Sequence, residues 1–304
     1  MGISFIHRLF WSAGLAFLLV GCGTLQTPSE PIMPQPMEPQ TRAPKLGLAL
    51  GGGAARGFAH VGVIQVLEEN GITVDVLAGT SAGSVVAVQY AFGMNGRQLE
   101  QAALSMDEAT LSDWTLPLFG RGLLRGEALA RYVNQQVNGL TLEQLRLPVG
   151  VLATDLGTGQ GVLFRRGDTG TAVRASSAVP GVFSPVIIAG RDFVDGGLVA
   201  PVPVESVRNM GAELVIAVDI SSTPQDGNGG DVLRTLLQTF TIMGQSINQL
   251  ALKDADVLVR PNLLGMGSAD FSSRQRAIAA GRDAMQRAMP RLRELVKEKR
   301  VPLL

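Results

Sequence analysis

The sequence predicts an α/β fold in which a mainly parallel sheet is covered by helices. Two short apolar runs, Leu46–Leu50 and 74–78, are each followed by a longer run that ends at a glycine, as helices commonly do. This alternation favours a parallel sheet, because parallel neighbours need a connection that crosses the sheet between them. Residues 45–304 are rich in apolar side chains, and their number suits one large domain.

The remaining elements follow in chain order from the same patterns. The two helices just described are predicted over 58–69 and 81–92, and a less regular helical stretch over 97–138 is a candidate cap for the sheet. Glycine and arginine at 190–191 predict a hairpin turn. Strands are predicted over 149–154, Gly161–Phe164, Val186–Ile188, 192–194, Leu214–Val218 and Val257–Val259, and helices over 204–210, 232–252 and 272–299.

Residues 1–21 have the pattern of an export signal peptide. Arg8 precedes an apolar run over 9–20 that is too short to span a bilayer and ends in small residues. The string Leu19-Val20-Gly21-Cys22 resembles the lipobox of bacterial lipoproteins, which implies cleavage before Cys22 and lipid attachment to its thiol. An ordinary secretory signal with an incidental cysteine is the alternative. Cys22 is the sole cysteine of the chain, so no internal disulfide is expected.

A lipidated Cys22 and a Pro-rich linker are predicted over 22–44, ahead of a hydrolase domain over 45–304. Six prolines lie between positions 28 and 44, and this composition favours an extended polyproline II stalk. Acyl chains on Cys22 would hold the protein on a membrane surface without spanning it. Gly23 follows where an aspartate favours inner-membrane retention, so the sequence predicts the bacterial envelope and favours the outer over the inner membrane.

The charge balance gives no indication of nucleic-acid binding. The chain carries 26 basic and 26 acidic residues, whereas nucleic-acid binding proteins commonly present a basic excess. The expected partner is instead a membrane lipid or another lipid ester, and the pattern leaves the oligomeric state open.

Ser81 occupies the position of a nucleophile on a sharp turn between a strand and a helix. It lies in the string Gly79-Thr80-Ser81-Ala82-Gly83, where small residues on both sides permit a tight elbow. The N-terminus of the following helix would favour the negative charge that develops during acyl transfer. A small-residue turn without chemistry is the alternative for this short motif.

Gly51, Gly52 and Gly53 end the first predicted strand and supply backbone N–H groups for an oxyanion hole. A glycine loop before a helix also suits a nucleotide phosphate, which is the competing interpretation. The spacing from Gly51 to Gly57 is one residue longer than in G-x-G-x-x-G, and no P-loop lysine follows. These departures favour the oxyanion hole.

Two residues are candidates for the base that takes the serine proton. His60 lies on the helix after the glycine loop, where a histidine between Ala59 and Val61 is more often a packing residue. Asp195 ends a short strand and is followed by Gly196 and Gly197, and partial burial would raise its proton affinity.

The glycine loop, the serine elbow and the Asp-Gly-Gly turn, in this order, resemble the patatin-like phospholipase family, bacterial members especially. The resemblance extends to 153–156 and 174–183 and covers roughly 45–219. It implies a three-layer α/β/α fold and a Ser81–Asp195 dyad without histidine, with Gly51, Gly52 and Gly53 as the oxyanion hole. Arg56, Gly79, Gly83, Gly196 and Gly197 support the motifs, and no metal or cofactor is implied.

Arg56 has two possible roles beside the glycine loop. It can hold the loop by bonding carbonyls of the turn, which we favour, or direct a phosphate headgroup into the site. Together the residues predict a lipid acyl hydrolase of the phospholipase A or lysophospholipase type that works through an acyl-enzyme. A thioesterase or general carboxylesterase with the same dyad remains open, and so does a non-catalytic lipid-binding lipoprotein of the envelope.

Overall fold

A computed structural model describes residues 41–106, 122–222 and 232–302. The predicted signal peptide, Cys22 and the linker as far as residue 40 lie outside the described residues. Across the parts of the chain that are described, no helix combines the length and the apolar character needed to cross a bilayer.

The elements are numbered in chain order. The strands are β1 Thr41–Arg42, β2 Leu46–Leu50, β3 Val76–Thr80, β4 Gly122–Leu124, β5 Val149–Asp155, β6 Gly161–Phe164, β7 Gly181–Phe183, β8 Val186–Ile188, β9 Arg191–Asp195, β10 Leu214–Val218, β11 Val257–Val259 and β12 Val301–Pro302. The α-helices are α1 Ala59–Glu69, α2 Ala82–Phe92, α3 Gly96–Ser105, α4 Glu127–Gln136, α5 Thr169–Ser176, α6 Val204–Asn209, α7 Val232–Ala251 and α8 Arg274–Glu298.

The central sheet is mainly parallel, which confirms the predicted fold class. Its strand order is β11-β10-β2-β3-β5-β9-β8, and β6 also pairs with β5. The pairings from β11 through β5 are parallel, whereas β6, β8 and β9 pair antiparallel with their neighbours. The carboxyl ends of the parallel strands therefore meet at one edge, where loops from several strands can form a common site.

Helices cover both faces of this sheet and form the predicted three layers. On one face, Leu46, Leu48 and Leu50 pack with apolar residues of α1, α2 and α8 in a large buried cluster. On the other, Ala49 packs with side chains of α6 in a smaller cluster. Every residue of β2 is buried, as expected for a strand covered on both sides.

Helices α1 and α8 cross with their backbones in direct contact. A Cβ atom at Gly62 would collide with the carbonyl oxygen of Ile278, and one at Gly281 would collide with the carbonyl oxygen of Ala59. A bidentate ion pair from Arg282 to Glu69, at 2.8 and 2.9 Å, lies beside the crossing. Glycine at both positions lets the two backbones approach this closely. Helix α8 therefore holds α1, the helix that comes after the glycine loop and its 3₁₀ turn in the chain.

The structure differs from the sequence prediction in several places. The helix expected from 58 is preceded by a 3₁₀ turn, Ala54–Phe58, and the stretch expected to be helical over 97–138 contains α3, β4 and α4. The hairpin turn lies one residue earlier than expected, at Ala189-Gly190, where positive φ values of 48° and 76° match a two-residue turn of type I′. β1 pairs antiparallel with β12, so the described fold includes Thr41.

Candidate active site

Ser81 forms a strained elbow between β3 and α2. Its φ of 51° and ψ of −123° lie outside the regions that non-glycine residues normally occupy. Glycines make room for the turn: a Cβ at Gly79 would lie 2.5 Å from the carbonyl oxygen of Gly83, and one at Gly83 would collide with that of Leu50. The two glycines predicted to support the motif are therefore required by close backbone contacts.

Hydrogen bonds on both sides hold the backbone of Ser81 in this conformation. Its N–H donates to the hydroxyl of Ser176 at 2.9 Å, and that hydroxyl donates to the carbonyl of Leu152 at 2.5 Å. Its carbonyl accepts from the N–H and the hydroxyl of Ser84, at 2.8 and 2.6 Å. Ser176 and Ser84 are positioning residues that the sequence analysis did not identify in this role.

Asp195 lies beside Ser81 because β3 and β9 both pair with β5. Thr80 is opposite Leu152, and Asp195 is opposite Ala153, the next residue of β5. The Ser81 and Asp195 side chains line the same cavity, and the Asp195 carboxylate accepts the Gly197 N–H at 2.7 Å. The two residues predicted as a dyad are thus brought together.

The Asp-Gly-Gly turn leaves no space for side chains. A Cβ at Gly196 would collide with the carbonyl oxygen of Leu152, and one at Gly197 would lie 3.0 Å from the Asp195 carboxylate. The backbone carbonyl of Asp195 accepts the hydroxyl of Thr154 at 2.9 Å. These contacts fix the carboxylate at the end of β9.

Burial changes the proton affinity of Asp195. Removal from water raises the pKa of this carboxyl to about 6, although the hydrogen bond from the Gly197 N–H and the nearby Ser81 hydroxyl favour the ionised form and limit the rise. A carboxylate with a pKa near neutrality is better suited to accept a proton than an ordinary aspartate, because proton transfer to it is more favourable.

The glycine loop lies against Ser81, but its amides are used differently from the prediction. The N–H of Gly51 donates to the carbonyl of Val218 at 3.1 Å, and that of Gly52 donates to the carbonyl of Pro201 at 2.9 Å. These two amides are therefore not available to an oxyanion, which corrects the assignment of all three glycines. Within the described residues, the N–H groups of Gly53 and Ala54 donate to no acceptor, and both residues line the cavity at Ser81.

Distant segments shape the same loop. Gly53 faces Ile220, since a Cβ on it would lie 2.8 Å from that side chain, and Ala54 has a positive φ of 48°. The N–H of Ala55 donates to the carbonyl of Ser268 at 3.0 Å. Sequence patterns around the glycines did not single out Ala54, because the free amide depends on these long-range contacts.

His60 supports the glycine loop and forms no hydrogen bond with Ser81 within the described structure. It is fully buried, and its Nε2 lies 2.8 Å from the carbonyl oxygen of Gly51. Burial lowers its pKa to about 4, so the ring is neutral at pH 7, and Nε2 must carry the proton that it donates to Gly51. The packing interpretation of His60 fits this arrangement.

Arg56 is a buried guanidinium beside the cavity. It is 6% exposed, its Nε has no hydrogen-bond partner, and no hydrogen bond from its side chain to a loop carbonyl is formed within the described residues. Burial lowers its pKa, an effect that nearby Asp219 partly offsets. The favoured interpretation of Arg56 as a clamp on the turn therefore lacks its expected contacts, and its charge faces the cavity.

These groups surround a cavity of about 250 Å³. Gly53, Ala54, Arg56, Ser81 and Asp195 lie on one side, and α7 contributes Leu237 and Phe240 on the other. Within the described ranges, no cluster of three histidine, cysteine, aspartate or glutamate residues suits a metal ion. The chemistry available from these side chains is acyl transfer, with a serine, a buried carboxylate and two free amides around one space.

Comparison with protein families matches residues 48–208 to the model described as patatin-like phospholipase. The matched range contains the glycine loop, the serine elbow and the Asp-Gly-Gly turn. Structural comparison finds VipD of Legionella pneumophila, with a TM-score of 0.54 and 15% identity, over 87% of this chain and 68% of that one. At this identity the likeness concerns the fold.

Sequence comparison finds relatives in bacteria and in animals. The uncharacterized NTE family protein Rv1063c of Mycobacterium tuberculosis is 38% identical over 195 residues, 63% of this chain and 54% of that protein. Patatin-like phospholipase domain-containing protein 6 of Mus musculus is 32% identical over 185 residues, 58% of this chain and 14% of that protein. The chain thus spans about half the length of the mycobacterial relative and a small part of the mouse protein.

Proposed function

The chain belongs to the patatin-like phospholipase family, and from this membership we propose that it is a lipid acyl hydrolase with Ser81 as nucleophile and Asp195 as base. The observation that carries the proposal is the position of the Ser81 hydroxyl beside a buried carboxylate whose pKa is raised to about 6, in one cavity. An ordinary surface aspartate would be a weaker base, and an ordinary serine would lack a partner to take its proton.

In the acylation step, Asp195 accepts the hydroxyl proton as Ser81 Oγ attacks the carbonyl carbon of an ester. The carbonyl electrons move to oxygen, and the N–H groups of Gly53 and Ala54 donate to the oxyanion. Collapse of this intermediate re-forms the carbonyl and breaks the bond to the leaving alcohol. The alcohol takes the proton from Asp195 as it departs.

In the deacylation step, water replaces the alcohol. Asp195 accepts a proton from the water as its oxygen attacks the acyl carbon, and the same amides stabilise the second oxyanion. Collapse releases the fatty acid, and Ser81 regains its proton from Asp195. The strained backbone at Ser81, fixed by Ser176 and Ser84, keeps the hydroxyl in place through both steps.

We propose a glycerophospholipid or lysophospholipid as the substrate class. The support is the buried Arg56 guanidinium, which lines the cavity without a hydrogen-bond partner in the described structure and can pair with a phosphate group. Arg56 would then bind the phosphate headgroup, and the amides of the glycine loop would bind the scissile carbonyl.

We further propose that the protein is a lipoprotein attached through Cys22 to the bacterial envelope, with the outer membrane favoured. The lipobox-like string and the Pro-rich stretch after it support this location. Metabolic labelling with a fatty-acid analogue should tag the native chain and leave Cys22→Ser untagged, and membrane fractionation should then identify the membrane that holds it. Equal tagging of both proteins would argue against the anchor.

Activity-based labelling tests the hydrolase. A fluorophosphonate probe should label the native chain at Ser81 and leave Ser81→Ala unlabelled, and mass spectrometry of phospholipid incubated with the native chain should show free fatty acid and lysophospholipid. Hydrolysis of thioesters or short-chain esters in place of phospholipid would contradict the proposed substrate class and leave the proposed hydrolase activity standing. Lipid binding without labelling or product would contradict the proposal.

A further inference from the structure

The outer face of α7 exposes apolar side chains to solvent. Val232 is 87% exposed, Leu250 68%, Met243 51% and Ile242 50%, and Asn248 is the one fully buried residue of this 20-residue helix. Burying such side chains is favourable at roughly 25 cal/mol per Å². A helix with this much exposed apolar surface is typical of an interaction site.

The inner face of the same helix forms part of the cavity at Ser81. Leu237, Phe240, Thr241 and Gln245 line it, one helical turn or less apart. Gln245 also donates to the carbonyl of Ser222 at 3.1 Å, and Asn248 to the hydroxyl of Ser221 at 2.8 Å. The helix therefore separates the cavity from whatever contacts its outer face.

Three hydroxyls of α7 are hydrogen-bonded within the helix. Thr239 and Ser246 donate to the carbonyls of Thr235 and Ile242, at 2.9 and 3.3 Å, and Thr241 donates to that of Leu237 at 3.0 Å. Hydroxyls satisfied within the helix need no water as a partner. The helix contains no aspartate, glutamate or lysine, and Arg234 is its one charged residue.

We propose that the outer face of α7 docks on the surface of a phospholipid bilayer, where the helix lies in the interface. This inference rests on the proposed function, since a lipid substrate must leave a bilayer before it reaches Ser81. The helix is not apolar enough to span the membrane, and one apolar face over a protein-bound inner face suits interfacial binding.

A fluorescent probe tests the docking without any need for activity. The full chain carrying Cys22→Ser and Met243→Cys has a single thiol for an environment-sensitive fluorophore, and Gln286→Cys, on an exposed position of α8, is the matched control. On addition of vesicles of phosphatidylcholine and phosphatidylglycerol, emission at position 243 should shift to the blue and rise severalfold, and emission at 286 should stay unchanged.

Two outcomes of this measurement would overturn the inference. The first is unchanged emission at position 243 when the protein cosediments with the vesicles. The second is a blue shift that grows with protein concentration in the absence of vesicles, which would identify a second copy as the occupant. Cosedimentation with the vesicles shows whether the protein binds them at all. Unchanged emission at position 243 in a protein that cosediments means that another part of the chain binds the vesicles.

Hydrolysis assays separate failure of this inference from failure of the proposed function. The double variant Ile242→Glu, Met243→Glu should hydrolyse phospholipid in vesicles about tenfold more slowly or worse, because two apolar anchors are lost. Its hydrolysis of a soluble ester should match that of the control Gln286→Glu, Arg287→Glu. Undiminished vesicle hydrolysis by the α7 variant contradicts the docking, whereas absence of both activities in the native chain contradicts the hydrolase.

Discussion

Ser81 and Asp195 lie side by side in one cavity because the strands that precede and carry them pair with consecutive residues of β5. Thr80 is opposite Leu152 and Asp195 is opposite Ala153, so the register of the sheet sets the distance between hydroxyl and carboxylate. A parallel strand and an antiparallel strand thereby deliver their ends to one point.

The pH dependence of hydrolysis should follow the ionisation of Asp195. A general base works only when it is deprotonated, and the pKa of this carboxyl is about 6, so kcat/KM should rise with pH through about 6 and level off above about pH 7. Initial rates on an uncharged soluble ester, measured across this range, test the expectation. A profile that is flat between about pH 5 and 8 would exclude this carboxylate as the base.

Asp195→Asn should abolish hydrolysis and stabilise the fold. The folded-state pKa of about 6 exceeds the ordinary aspartate value of 3.8, so ionised Asp195 destabilises the native protein above about pH 6. By linkage, the variant should gain about 3 kcal/mol in free energy of unfolding at about pH 8. The gain should shrink as the pH falls through 6 and approach zero near 3.8, and urea titrations at several pH values measure it.

His60→Ala should lower stability and leave the pH profile of hydrolysis in place. The change empties a fully buried site and leaves the Gly51 carbonyl without its donor, which together cost about 2–4 kcal/mol. His60→Gln, which keeps a donor, is the milder control. If His60 were the base instead, both variants would lose activity while folded, and the rise near pH 6 would disappear.

Gly62→Ala and Gly281→Ala should each destabilise the protein by about 2 kcal/mol or more, because a methyl group at either position collides with a carbonyl oxygen of the opposite helix. Gly267→Ala is the matched control, since a Cβ there has open space around it. Thermal unfolding of the three variants provides the comparison. Equal melting temperatures of the three variants would show that α1 and α8 can move apart to accommodate a methyl group without loss of stability.

Arg56→Met should change substrate preference. If the guanidinium pairs with phosphate, the ratio of kcat/KM for phospholipid to that for an uncharged ester should fall by about tenfold or more. Removing a buried charge that has no hydrogen-bond partner should also stabilise the native state. Parallel loss of both activities would assign Arg56 to the loop rather than to the substrate.

The sequence predicted the sheet well because its strands are apolar runs with clear limits. The predicted bounds of Leu46–Leu50 and Leu214–Val218 are those of the structure, since each run is buried on both faces and flanked by residues that end it. The serine elbow was predicted for a similar reason, because small residues around Ser81 have few uses other than a tight turn.

The parts that were missed depend on residues far apart in the chain. No pattern near the glycine loop reveals that Val218 and Pro201 accept its first two amides. Helix α5, which supplies Ser176, was not predicted, although Asp168 caps it by accepting the N–H of Thr171 at 2.7 Å. Local propensity is weak in so short a helix, and its tertiary contacts decide its position.

The contacts that anchor the glycine loop also limit how this enzyme fold can be divided or recombined. The region shared with the family ends at residue 208, yet the loop is held by Val218 and Ser268, which lie beyond it. A chimera that exchanged only the shared region would place the loop against foreign acceptors. The smallest segment that can be transferred intact therefore includes β10 and the residues that lead into α8. Crossover points of a chimera belong outside these elements.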